Sequence, residues 1–230
     1  MGDNETSFGR TGFAQAEQDI HVNSAKGPAL FVGYLESSID ISDASVLARF
    51  SGAHGTAQRD EDFSSGGPNS QAFSGTSTIL GGALTVKHTF DAIRTFSFQS
   101  EYLWRNTEGT RYSVDAIQQA HESALECRQS GWYAQAVTKF ALRWRAGLRI
   151  DVLQGNEVVE DGMQSDLPTG LPRWSAMVEF NPTEFSRIRF QYNYDHSQYN
   201  GSNQELNRMT VHELSLQVNL AIGAHGAHSF

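Results

Sequence analysis

Four things are scarce in this chain, and each scarcity removes a class of protein. There is one cysteine, Cys127, in 230 residues. A single thiol makes no internal disulfide and no cysteine-based metal site. No run of about 18 apolar residues exists, so no transmembrane helix is on offer. Cations are outnumbered: 17 Lys and Arg face 26 Asp and Glu, a formal net charge of −9, which argues against a nucleic-acid partner. The first residues, MGDNETSFGR, contain no basic segment followed by an apolar one, so no signal peptide is visible. A mean hydropathy of −0.43 looks soluble on average, but a spanning β-strand needs only about 9–11 residues with every second one apolar.

What the chain has is alternation. In SRIRFQYNYD, Ile188, Phe190, Tyr192 and Tyr194 are apolar or aromatic, while Arg187, Arg189, Gln191, Asn193 and Asp195 are polar. Period two marks a strand with two different faces. The same pattern runs through Phe31–Ile41, Val46–Ser51, Leu80–Lys87, Phe96–Arg105, Trp132–Phe140, Trp144–Val152, Trp174–Phe180 and Leu214–Ile222, which predicts nine strands. A tenth, fainter candidate spans 12–22.

The connections sort by length. Short ones at residues 42–44, 91–94, 141–142 and 181–184 alternate with long ones at about 53–75, 106–130, 154–171 and 196–210. Tight turns on one side and long loops on the other are the order expected of a membrane barrel. Within the second long connection, VDAIQQAHESALEC reads as a short loop helix. Trp104, Trp132 and Trp174 flank long loops, and Phe90, Phe96, Phe140, Trp144 and Phe180 flank short turns, as two interfacial aromatic girdles would. Many aromatics would also overfill a small soluble interior. The expected fold is therefore all-β: an antiparallel transmembrane β-barrel of about nine or ten strands. Residues 1–27 form a polar N-terminal loop or weak strand, and 28–230 form the barrel strands with long extracellular loops. An odd strand count suggests part of a larger barrel, since single-chain bacterial barrels use even numbers.

The segments GWYAQAVTKFALRWRAGLRIDVL, NPTEFSRIRFQYNYD and HELSLQVNLAIGAHGAHSF, with FVGYLESSIDISDASVLARFSG earlier, resemble a family of proteobacterial outer-membrane proteins often labelled zinc-regulated, TonB-dependent or porin-like. The resemblance implies a Gram-negative outer-membrane location, contact with outer-membrane lipid, recognition by barrel-assembly machinery, and longer relatives with further strands upstream. It also implies that the terminal Phe230 resembles the assembly signal on a last strand. No plug-like region is visible, so these residues themselves do not support the TonB label.

Three groups are candidates for chemistry. On the polar face, Arg143, Arg145, Arg149, Arg173, Arg187 and Arg189 fall on three successive predicted strands, with Glu101, Asp151 and Glu179 as facing acids. Inward, they would line a lumen, either as a basic ladder that attracts anions or as structural ion pairs. His225 and His228 make at most a partial zinc site, because zinc wants three or four ligands; no metal and no cofactor is expected. Asp195 and His196, with His54, His121 and His212 at the rim, are the acid–base candidates, but neighbours on a strand point to opposite faces, so no enzyme is expected. The leading expectation is porin-like passage of small polar solutes, with anions a candidate subset. The alternatives are the barrel part of a TonB-dependent, metal-related receptor, and a non-transporting structural or adhesion barrel.

Overall fold

The computed structural model describes residues 30–61, 71–117, 119–165, 167–202 and 205–221. Among them there is no helix; ten antiparallel strands form one sheet. They are β1 (Leu30–Ile41), β2 (Ala44–Glu61), β3 (Gln71–Thr89), β4 (Thr95–Val114), β5 (Ala120–Ala141), β6 (Trp144–Glu160), β7 (Met163–Ser165), β8 (Leu171–Thr183), β9 (Ser186–Ser202) and β10 (Glu205–Leu220). Each predicted strand coincides with one of the nine long ones. The candidate at 12–22 lies outside the described residues.

The sheet order follows the chain, β1-β2-β3-β4-β5-β6-β8-β9-β10, with the short β7 paired only to β6. The sheet is open: β1 and β10 are its edges, so the expected closure into a barrel is not seen among the described residues. Short turns join Ile41 to Ala44, Thr89 to Thr95, Ala141 to Trp144 and Thr183 to Ser186, which are paired across their hairpins.

The long connections differ from expectation. Most of their residues continue the strands: β2 runs on to Glu61, β4 to Val114 and β6 to Glu160. The expected loop helix is absent. Val114 ends β4, Asp115 accepts backbone hydrogen bonds from Ile117 and Gln119 at 3.0 and 2.8 Å, and Ala120 starts β5. An Asx-type turn has replaced the helix because both flanks find strand partners, whereas a lone helical turn would find none. A further hairpin, β6–β7, turns at Asp161 (φ 49) and Gly162 (φ 79). Positive φ at both central residues is what a two-residue turn matching the strand twist demands.

The two faces of the sheet are unlike. One carries Leu148, Phe190, Leu214 and Leu216, exposed by 68, 51, 68 and 71%. The other carries Glu179, Asn193 and Asp195, exposed by 1, 2 and 8%. An ordinary soluble sheet buries its apolar face. Here Glu179, Asn193 and Asp195 are covered while Leu148, Leu214 and Leu216 are not.

Candidate functional site: a charged concave face

The polar face curves around a cavity of about 830 Å³ that crosses five strands, from Glu101 on β4 through Tyr133, Arg149 and Arg173 to Arg189 on β9. Directly paired residues on neighbouring strands point the same way, so the ladder builds the site in rows. Lys139, Arg145, Glu179 and Arg189 stand side by side on β5, β6, β8 and β9. Towards the long hairpins, the next charged rows are Gln135–Arg149–Ser175–Asn193 and Tyr133–Asp151–Arg173–Asp195. The short turns set this register, which is why Arg145 of β6 and Arg189 of β9 meet at Glu179 of β8.

Glu179 is the centre of the first row. Arg189 donates to its Oε2 from Nη2 at 2.7 Å and from Nε at 3.1 Å, and Asn181 Nδ2 donates to Oε1 at 3.2 Å. Arg145 Nη1 stands 3.7 Å from Oε1, and Arg187 Nε stands 3.8 Å from Oε2. Three guanidinium groups thus surround one covered carboxylate. A buried carboxylate persists only with such pairing, because losing its water is otherwise too costly.

Farther along, Arg149 donates to Asp151 from Nε at 2.9 Å and to Gln135 at 3.2 Å, and its guanidinium lies 3.9 Å from the centre of the Tyr133 ring. A planar cation over an aromatic face adds a quadrupole attraction to the ion pair. Arg173 pairs with Glu213 at 3.1 Å, and Asn193 donates to the same Glu213 oxygen at 2.9 Å. Asp195 accepts from the Ser197 hydroxyl and backbone at 2.6 and 2.8 Å.

Arg143 sits in the turn between β5 and β6 rather than on a strand; the other charged residues singled out from sequence share one face. Glu101, Arg149, Asp151, Arg173 and Arg189 line the cavity, and Arg145, Arg187 and Glu179 sit beside it near the short turns. Glu213, Asn193 and Tyr133 were not counted in that set. Their parity on β10, β9 and β5 was the available signal, hidden because β10 carries no arginine among its paired face residues.

Of the acid–base candidates, only His196 and His212 come near each other, both against the Tyr194 ring, and neither meets a carboxylate there among the described residues. His54 bonds Thr78, His121 bonds Asp115, His196 bonds Thr210, and His212 bonds the Tyr192 hydroxyl. Asp195 and His196 diverge as strand neighbours must. No cluster of three metal-ligating side chains occurs among the described residues. His225, His228 and Phe230 lie outside them.

No family model matches the chain. A protein of Aquifex aeolicus (strain VF5), described as an uncharacterized protein, is 39% identical over 234 residues, covering 100% of this chain and 46% of its own length. The chain thus spans about half the length of the curated relative it matches. Among solved structures, one of the NanC porin in a rhombohedral crystal form superposes with a TM-score of 0.37 and 10% identity, over 86% of this chain and 96% of that one. That superposition is too loose to argue from. What the fold and site of the described residues define is a class: an all-antiparallel β-sheet, apolar on its outer side and charged within its curve.

Proposed function

We propose that this chain is wall material of a bacterial outer-membrane β-barrel through which small polar solutes pass in a porin-like manner. The inversion of burial carries the reading. Leu148 and Leu216 are exposed while Glu179 is covered, which suits hydrocarbon outside and water with ion pairs within. The apolar stripe of β6 runs from Trp144 to Val152, about 26 Å along the strand at about 3.3 Å per residue. A lipid-facing band is about 25 Å tall, which a strand tilted by about 40° crosses in about 10 residues, close to the length of this stripe. Aromatic residues bound the stripe, with Trp144 against Phe180 at 4.7 Å near the short turns and Trp174 exposed towards the long hairpins.

The reading assigns the chain no catalytic step and no cofactor; its partners are lipid, the assembly machinery and the solute. It requires that the β1 and β10 edges be closed in the membrane, by each other or by a second copy of the chain, because unpaired backbone is not tolerated in lipid. Proteoliposomes carrying the full chain test it. Swelling in small sugars is the expected outcome. Insertion without swelling would leave a non-transporting barrel, and failure to insert at all would remove the membrane reading.

A further inference from the structure

Charge is unevenly placed along the polar face. Near the short turns, four cations (Lys139, Arg145, Arg187 and Arg189) share the single carboxylate of Glu179. The β10 residues paired with Arg189 and Arg187 are Gln217 and Asn219, both neutral. Nearer the long hairpins the balance reverses: Arg149 and Arg173 share that level with Glu101, Asp151, Asp195 and Glu213.

Only Arg189 and Asn181 hydrogen-bond Glu179. Arg145 and Arg187 stand beyond hydrogen-bond reach of it, and no shorter acceptor contact is made by either among the described residues. Their side chains are 48 and 34% exposed, so their donors face the curve of the sheet. Two guanidinium forks with unspent donors, bracketing a carboxylate already neutralised by a third, have the chemistry that recognises planar oxyanions.

We infer that Arg145 and Arg187 form a carboxylate-binding station at the short-turn end of the polar face, with the Glu179–Arg189 pair as its fixed floor. The inference rests on the pore-wall reading and names the solute class: small organic acids bearing an accessible carboxylate. The station's excess positive charge concentrates such anions, and the acidic level beyond it keeps their residence short.

Two measurements on the full chain in detergent and in planar bilayers test this. The first titrates 13C-labelled acetate and follows its line broadening. The wild-type protein is expected to broaden the line, and the doubly substituted Arg145→Gln, Arg187→Gln protein to leave it sharp. A control with the same charge loss elsewhere, Arg111→Gln with Arg128→Gln, should broaden like wild type. Glu179 keeps Arg189 in the double variant, so strand content by circular dichroism should hold. The second reads reversal potential in a salt gradient. The acetate-to-potassium permeability ratio should fall about sevenfold in the double variant: two unit charges about 7 Å from the ion in a water-like medium, screened to about half by about 0.1 M salt, act oppositely on the two ions. Absence of broadening in the wild type, or equal broadening in the double variant and the wild type, overturns the station. Wild-type broadening without conductance overturns the pore reading and leaves the station standing.

Discussion

The lower and upper parts of the same strands obey different rules. Below the bulge where Ser130 pairs Gly155 and Gly131 pairs Leu153, the outer face is Leu148, Ile150, Val152 and Trp132. Above it, the same side presents Thr78, Asn106, Arg128 and Glu157 in one paired row, and Thr76, Glu108 and Glu126 in the next. Arg128 and Glu126 pair there at 2.6 Å. The backbone ladder crosses this boundary almost unbroken, so hydrogen bonding does not distinguish the two parts. The outward side chains do: apolar below, polar and charged above, which on the pore-wall reading corresponds to hydrocarbon below and water above. The extra residue of the bulge, Gln154, swaps the parity of β6 at that level.

A charge placed on each part breaks or sharpens the contrast. Leu148→Arg sits in the middle of the lower stripe and should destabilise the lipid-refolded protein by about 2–4 kcal/mol, read as the shift in its denaturant midpoint. Thr76→Arg, opposite Glu108 above the boundary, should cost about 0–1 kcal/mol. Equal costs at both positions would mean that lipid does not contact the lower face.

The inner face offers a second contrast. Below, Glu179 is covered and held by Arg189 and Asn181. Above, Glu160 accepts from Arg111 at 3.0 Å and from Ser123 at 2.6 Å, but 37% of its side chain is exposed. Glu179→Gln leaves three guanidinium groups without their common anion and should cost about 2 kcal/mol or more. Glu160→Gln should cost at most about 1 kcal/mol, because water already shares the load. The same denaturant titration reads both.

That boundary also divides what was legible in the sequence. Below it, apolar and polar residues alternate strictly, so period two located every long strand, and the short turns fixed the rows that bring Arg145, Glu179 and Arg189 together. Above it, apolar and polar residues mix on both faces, with Ala57, Ala72, Tyr112 and Val114 buried there. HGTAQ, RNTEG and HESALEC carry no alternation of hydrophobicity, so they read as loop or helix although their backbones are fully paired. Asp161–Gly162 was a readable hairpin signal, but its partner strand is only Met163–Ser165, too short for periodicity to reveal. Glu213 escaped the charged set because the arginines drew attention to β6, β8 and β9, whereas the Arg173–Glu213 pair reaches across to β10. The free edges of β1 and β10 could not be foreseen beyond the odd strand count, since alternation within a strand says nothing about its outermost neighbour.

The smallest expected effect lies in the turns at the two ends. Asp91, in a short turn, accepts from the Arg94 backbone at 2.7 Å, from the Ile93 backbone at 2.9 Å and from Arg94 Nε at 2.7 Å. These donors favour its charged form and lower its pKa to about 2. Asp115, in the long-hairpin turn, is lowered too, chiefly by the Gln119 backbone N–H and with help from His121. A carboxyl whose pKa falls on folding stabilises the fold fully above the ordinary carboxylate range, about 3.9. That contribution fades as pH drops from there through the folded value. Lowering pH from 5 to 2 should therefore depress the unfolding midpoint of the wild type slightly more than that of Asp91→Asn, whose turn has no proton to gain. Asp115→Asn should behave likewise, and in addition lose its His121 ion pair as an acidic-pH stabiliser. If Asp91→Asn showed the full wild-type slope, the turn would have to be held by Thr89 and Thr95 pairing alone, and the side-chain cap would be incidental.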